Sequence, residues 1–129
     1  MLKTRPIKLP KEPDDGLRIS VMSRHTLSDG VTPDPNIHSS MYDQWWRKLA
    51  PPLELIGEYC QRGLPWEEYE RRFKQHLEEC KTLLMILIKL AKESNITILC
   101  VEKTPEHCHR RLIAEACREL DDQLVIRVQ

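Results

Sequence analysis

Glycine is scarce, with four residues in a chain of 129. No glycine-rich phosphate loop and no GxGxxG occurs. That sets aside a dinucleotide-binding fold of the usual kind, whose loops need glycine where backbone meets pyrophosphate. No CxxC spacing joins the five cysteines, and an odd number cannot pair completely within one chain. Free thiols in a reducing compartment are the expectation. No arginine follows a cysteine at the distance a phosphatase loop requires. No apolar run approaches the ~18 residues that span a bilayer; the longest is Leu83 to Ile88. Met1 to Pro13 is charged and proline-rich where a signal peptide would carry an apolar core. These absences point to a cytoplasmic protein with no membrane partner. An excess of one charge is missing too, since twenty basic and twenty acidic residues cancel to +0. No strong overall field draws such a chain to nucleic acid, although a local basic pocket remains compatible with neutrality. Internal repeats and low-complexity tracts are absent.

What is present suffices for one domain over residues 1–129: 40% hydrophobic and 31% charged residues support one modest core. Residues 1–16 hold Pro6, Pro10, Pro13 and Gly16 and read as an extended N-terminal arm with a short edge strand around Ile7. Leu17, Ile19 and Val21 alternate with polar positions as a strand does, and that strand delivers Ser23, Arg24 and His25. Thr26 to His38 is a loop of glycine and proline turns. Ser39 or Ser40 caps a short helix that buries Met41, Trp45 and Leu49, stopped by Pro51-Pro52. Leu53 to Cys60 forms a second helix, ended by Gly63.

From Pro65 onward, Trp66, Tyr69, Phe73, Leu77, Cys80, Leu84, Leu87 and Ala91 follow three-to-four spacing, giving one long helix or two collinear ones. At that spacing the aromatics are core rather than base-stacking surfaces, while Trp45 or its neighbour Trp46 faces outward or covers a pocket mouth. Ile96 to Val101 is an apolar, β-branched run, the mark of a strand buried on both faces. Thr104 caps, and Pro105 begins, a helix with Leu112, Ile113, Ala116, Cys117 and Leu120 inside. Leu124 to Val128 is a last strand. Strands alternating with helices imply an α/β fold: a single three-layer domain with a short, mainly parallel sheet flanked by helices and right-handed crossovers.

Open parallel sheets bind ligands beyond the carboxyl ends of their strands. Two strands here end in chemistry: Ser23-Arg24-His25, and Cys100-Val101-Glu102-Lys103. The helix after the second carries Cys108, His109 and Arg110. A helix N-terminus adds unpaired N–H groups and partial positive charge. Arg24, Lys103 and Arg110 are therefore the expected ligand-binding residues for an anionic small molecule, a phosphate, carboxylate or nucleotide. Glu102, Cys108 and His109 are the expected acid, base or nucleophile. A thiol beside cations has its pKa lowered from ~8.5 and gains nucleophilicity. Two bland readings compete: Arg24 or Arg110 paired with Glu102 as a structural network, and Cys108 as a small core hydrophobe. Cys60, Cys80 and Cys117 read as core. A metal site could draw on Cys100, His107, Cys108 and His109, but none is expected, because adjacent helical residues such as Cys108 and His109 point about 100° apart and no zinc spacing fits. No cofactor motif appears. The alternative function is a non-catalytic module for nucleic acid or protein.

Pro13-Asp14-Asp15-Gly16-Leu17-Arg18-Ile19-Ser20-Val21-Met22-Ser23-Arg24 resembles the "EDGYRVLVDR" opening of the bacterial YeaO-like proteins, a family of uncharacterised proteins built on a domain of unknown function. Trp45 to Leu49-Ala50-Pro51 is similar to their "EWLKDLAP". Trp66-Glu67-Glu68-Tyr69 with Arg71, Arg72 and Phe73 is similar to "WEEFRERY". Leu99-Cys100-Val101-Glu102-Lys103 and Cys108-His109-Arg110 resemble "LCAEK…CHR". After Arg24 the family often carries tryptophan or tyrosine, then proline, arginine and glycine, whereas this chain reads His25-Thr26-Leu27-Ser28-Asp29-Gly30. The resemblance implies an α/β fold over nearly the whole chain and implies no activity.

Overall fold

Ile96 to Cys100 carries an apolar residue at four of five positions, and all five are buried. A strand without a solvated face belongs in the middle of a sheet, and it lies there. In the computed structural model, which describes residues 1–129, the elements are β1 (Leu2–Pro6), β2 (Leu17–Ser20), β3 (Gln44–Trp45), α1 (Leu53–Gln61), α2 (Trp66–Glu79), α3 (Lys81–Glu93), β4 (Ile96–Cys100), α4 (His109–Leu120) and β5 (Ile126–Val128). The sheet order is β3-β2-β4-β1-β5 and every pairing is parallel. Leu2 and Leu17 both align with Ile96. No helix is long and apolar enough to cross a membrane.

The connection from β1 to β2 steps past β4 in one direction, and those from β3 to β4 and β4 to β5 step back in the other. Right-handed crossovers must then pass over opposite faces. The helices cover one face, where Leu2, Ile19, Ile96 and Ile98 pack against Phe73, Leu77, Leu84, Leu87, Ile88, Leu112 and Ile113. Residues 7–16 cover the other without a helix, and that third layer is ionic. Lys3 and Arg5 of β1 and Arg18 of β2 all reach the fully buried Asp15, at 2.7, 2.9 and 2.7 Å. Thr97 Oγ1 donates to the Asp15 carbonyl at 2.7 Å.

Three expectations change, and one open choice is decided. The arm over 1–16 holds an interior strand, since Leu2–Pro6 lies between β4 and β5; Lys3 and Arg5 hid it by breaking the apolar pattern, and Asp15 neutralises them. The helix expected after Ser39 is two short 3₁₀ turns, Ser39–Met41 and Arg47–Leu49, around β3. There the backbone pairs with β2 instead, Asp43 N–H donating to Arg18 O at 2.8 Å and Trp46 N–H to Ser20 O at 2.9 Å. The run from Trp66 is two helices rather than one, dividing at Cys80, whose φ of −97° and ψ of 18° end α2. Finally, Thr104-Pro105 opens only isolated turns, and α4 begins at His109 with Cys108 as its N-cap.

Candidate functional site

Cys100 is the last residue of β4, and its carbonyl accepts the Ile7 N–H at 2.8 Å, which fixes it between two neighbouring strands. Cys108 is extended, with φ −135° and ψ 138°, immediately before the helix. It therefore does not share the 100° helical offset with His109, and the two side chains turn the same way. The Cys100 and Cys108 sulfurs and a His109 ring nitrogen all lie within 4.8 Å of one another. All three residues are buried, and so is Arg110.

Hydrogen bonds order the cluster. His109 Nε2 lies 2.6 Å from the Val21 carbonyl. A carbonyl only accepts, so Nε2 carries the proton and Nδ1 presents its lone pair, 3.7 Å from Cys100 Sγ. Phe73 meets the imidazole edge-on at 5.7 Å. Arg110 donates through Nε to the Gln129 carbonyl at 2.9 Å, and through Nη1 to the Glu102 carbonyl at 2.8 Å and Cys108 Sγ at 3.1 Å. Arg110 Nη2 is buried without a partner.

The thiols are not equivalent. Donation from the Cys108 thiol lowers the Cys100 pKa despite burial, aided by the Val101 and Glu102 N–H groups and by Arg110. The same contact, with burial, drives the Cys108 thiol far up. Burial lowers the His109 pKa, so the ring is neutral.

Of the residues expected from sequence, Cys108, His109 and Arg110 come together. Glu102 and Lys103 follow β4 in an exposed loop, outside the cluster. The alternative Arg110–Glu102 ion pair is not formed; Arg110 bonds the Glu102 backbone carbonyl instead. Arg24 does not converge with Arg110. It bonds the Ser28 carbonyl at 3.5 Å and lines an open hollow of about 690 Å³ beside α1 with Gly57, Cys60 and Arg62. Cys117 is core, Cys60 is exposed against the expectation, Cys80 is half-buried at the core's edge, and all five cysteines are unpaired. Cys60 lies on the hollow side of the short α1. Cys80 packs against the edge of the core at the helix break, where its Sγ meets the Lys48 carbonyl at 3.4 Å.

From sequence, Cys100 was placed at the site's strand end but not among the reacting groups, because its strand is apolar. The signal was its place at the strand end facing the CHR triplet. A second pairing also went unread: Ser20 Oγ lies 2.7 Å from His25 Nε2, with that ring stacked on Trp45 at 4.0 Å.

A family model, DUF488-N3a, described as the active DUF488-N3 subclade, matches residues 2–120. No curated protein and no solved structure gives a significant match to the chain. The chain belongs to this DUF488 family, in keeping with the YeaO-like resemblance.

Proposed function

We propose that this member of the active DUF488-N3 subclade is a small enzyme acting on an anionic small molecule, a phosphate, carboxylate or nucleotide, at the C-terminal ends of its strands. Arg110 is the anion's partner, and Cys100, Cys108 and His109 are the reacting groups. The observation that carries this reading is the unpartnered Nη2 of a fully buried arginine beside two thiols. Leaving a buried donor unpaired costs about 1–3 kcal/mol, more for a charged group, and an incoming oxyanion would recover that cost. The position beyond the carboxyl ends of a parallel sheet supports a ligand site, and the word "active" in the family description supports an enzyme over a non-catalytic nucleic-acid or protein module. A cation sealed inside the fold also suits a small ligand better than an open surface partner. Glu102 and Lys103 are outer contacts on the 101–107 loop, which must lift to admit the ligand. Cys100, at the strand end beside it, joins Cys108 as a candidate nucleophile. The five unpaired thiols suit the reducing cytoplasm.

The test is thermal melting of the parent and of Arg110→Gln with phosphate, acetate and nucleoside monophosphates. An anion at about 100 times its Kd raises parental stability by about 2.7 kcal/mol. Arg110→Gln should lower that affinity roughly 10- to 100-fold, the worth of a charge-assisted hydrogen bond. It should also melt lower without ligand, since the guanidinium ties the 102 loop to Gln129. A parent that no anion stabilises would reduce Arg110 to a structural strut and end the reading.

A further inference from the structure

Two cysteines and a histidine converge in a sealed space at the end of β4, and nothing in hydrophobic packing calls for three ligating atoms there. We propose that Cys100, Cys108 and His109 form a binding site for a soft or borderline divalent cation of the zinc class, with one coordination position left for the anionic substrate. The inference rests on the reading of this cluster as the reaction centre and names the cofactor it would use.

The first support is distance. Tetrahedral zinc with Zn–S near 2.3 Å and Zn–N near 2.0–2.1 Å separates its ligands by roughly 3.8 Å for two sulfurs and roughly 3.6 Å for sulfur and nitrogen. Cys100 Sγ and His109 Nδ1 are 3.7 Å apart, and the whole set falls within 4.8 Å. The second is the tautomer. Metal-binding histidines commonly donate their other ring N–H to a carbonyl or carboxylate, which fixes the ring and raises its basicity. His109 does so to Val21 at 2.6 Å, and the free lone pair lies on the nitrogen 3.7 Å from Cys100 Sγ.

The third support is charge. Arg110 Nη1 sits 3.1 Å from Cys108 Sγ and at first sight opposes a cation. Two thiolates and a neutral imidazole cancel a divalent ion, so the metal-bound cluster carries the same net charge as the metal-free one with both thiols protonated. The guanidinium then serves as an N–H···S donor beside the metal, with Nη2 still unpartnered. The donor set decides the metal class: thiolate and imidazole suit zinc and cobalt, whereas magnesium and calcium prefer oxygen. Three protein ligands with an open fourth position are the arrangement of catalytic rather than structural zinc.

The experiment is titration of the reduced, metal-free full chain with Co²⁺, followed by competition with Zn²⁺. One equivalent of Co²⁺ should give the intense visible bands of tetrahedral cobalt and a sulfur-to-cobalt charge-transfer band, both abolished by one equivalent of Zn²⁺. Cys100→Ser, Cys108→Ser and His109→Gln should each lose these bands, and Cys60→Ser should keep them. Zn²⁺ should also protect Cys100 and Cys108 of the parent from alkylation, a readout that needs no variant to fold. Absence of stoichiometric uptake, uptake that survives Cys100→Ser, or labelling of Cys100 that Zn²⁺ leaves unchanged would overturn the proposal. An anion that stabilises a protein unable to take Co²⁺ would leave the enzyme reading intact and remove the metal. Cobalt bound with no anion effect would keep the metal and remove the anion.

Discussion

Asp15→Asn isolates what the ionic face of the sheet contributes. The Asp15 carboxylate is fully buried and accepts from Lys3 Nζ at 2.7 Å, Arg5 Nη1 at 2.9 Å, Arg18 Nη1 at 2.7 Å and the Glu12 N–H at 3.1 Å. Asparagine keeps the shape and removes the charge, leaving three cations facing two carboxylates, Glu12 and Asp14, that are half-exposed. Removing one partner from a buried ion cluster typically costs about 3–5 kcal/mol. An unfolding entropy near 0.27 kcal/mol/K, scaled to this chain length, converts that to a fall in Tm of about 11–18 °C.

Its pH dependence carries a sign. Burial pushes the Asp15 pKa up, but Lys3, the Glu12 N–H, Arg18 and Arg5 outweigh it and hold the carboxyl far below the usual carboxylate range. A depressed folded pKa gives stability that is fully present above the unfolded value of about 3.9 and is lost as pH falls toward the folded one. Urea melts of parent and variant should therefore show a constant gap from pH 7 to about 4.5, narrowing only below about pH 4. A variant within about 1 kcal/mol of the parent, or a gap that closes between pH 7 and 5, would refute the assignment of Asp15 as the anchor of that face.

Gly16 has φ +63°, and an added Cβ would stand 1.9 Å from the Asn95 carbonyl oxygen, so Gly16→Ala should cost about 2–5 kcal/mol in urea melts through strain and overlap. Gly30→Ala, at φ +73° in open space, should cost only about 1 kcal/mol; equal effects would show that the close approach to Asn95 does not matter. Under native alkylation followed by mass spectrometry, exposed Cys60 should react first. Cys117, its thiol pushed up to about 12 by burial, should label only at the rate of global unfolding.

Much of the fold was legible because its signals are local. The apolar run from Ile96 and the three-to-four spacing of Tyr69, Phe73 and Leu77 depend on no distant partner, and both elements lie where the pattern put them. Leu2–Pro6 was illegible for the opposite reason. Lys3 and Arg5 look solvated until Asp15, ten or more residues later, is seen to neutralise them. Gln44–Trp45 reads as helical by its apolar spacing, and only the free edge of β2 makes it a strand. The candidate site was half legible. Charge and position identified Cys108, His109 and Arg110, but the helix start at Thr104-Pro105 carried a false corollary. Once Cys108 is the cap rather than a helical residue, its neighbour's ring can share its target, and the reason for dismissing a Cys–His centre disappears.

The ionic face and the thiol centre are mechanically joined through Gln129. Its side-chain Oε1 accepts from Arg5 Nε at 3.3 Å, and Arg5 is held by Asp15. Its backbone carbonyl accepts from Arg110 Nε at 2.9 Å and from Thr4 Oγ1 at 3.2 Å, while its N–H returns to Thr4 Oγ1 at 3.0 Å. One residue beside β5 thus receives a guanidinium from each face of the sheet. Arg110 cannot swing without surrendering that carbonyl, so its Nη2 edge is fixed, which under the proposed function is before an anion arrives. Preorganisation of this kind lowers the ordering cost of binding, and here it is supplied by buried charges on β1. That gives β1 two roles: it completes the interior of the sheet, and it holds in place the guanidinium that faces the thiols.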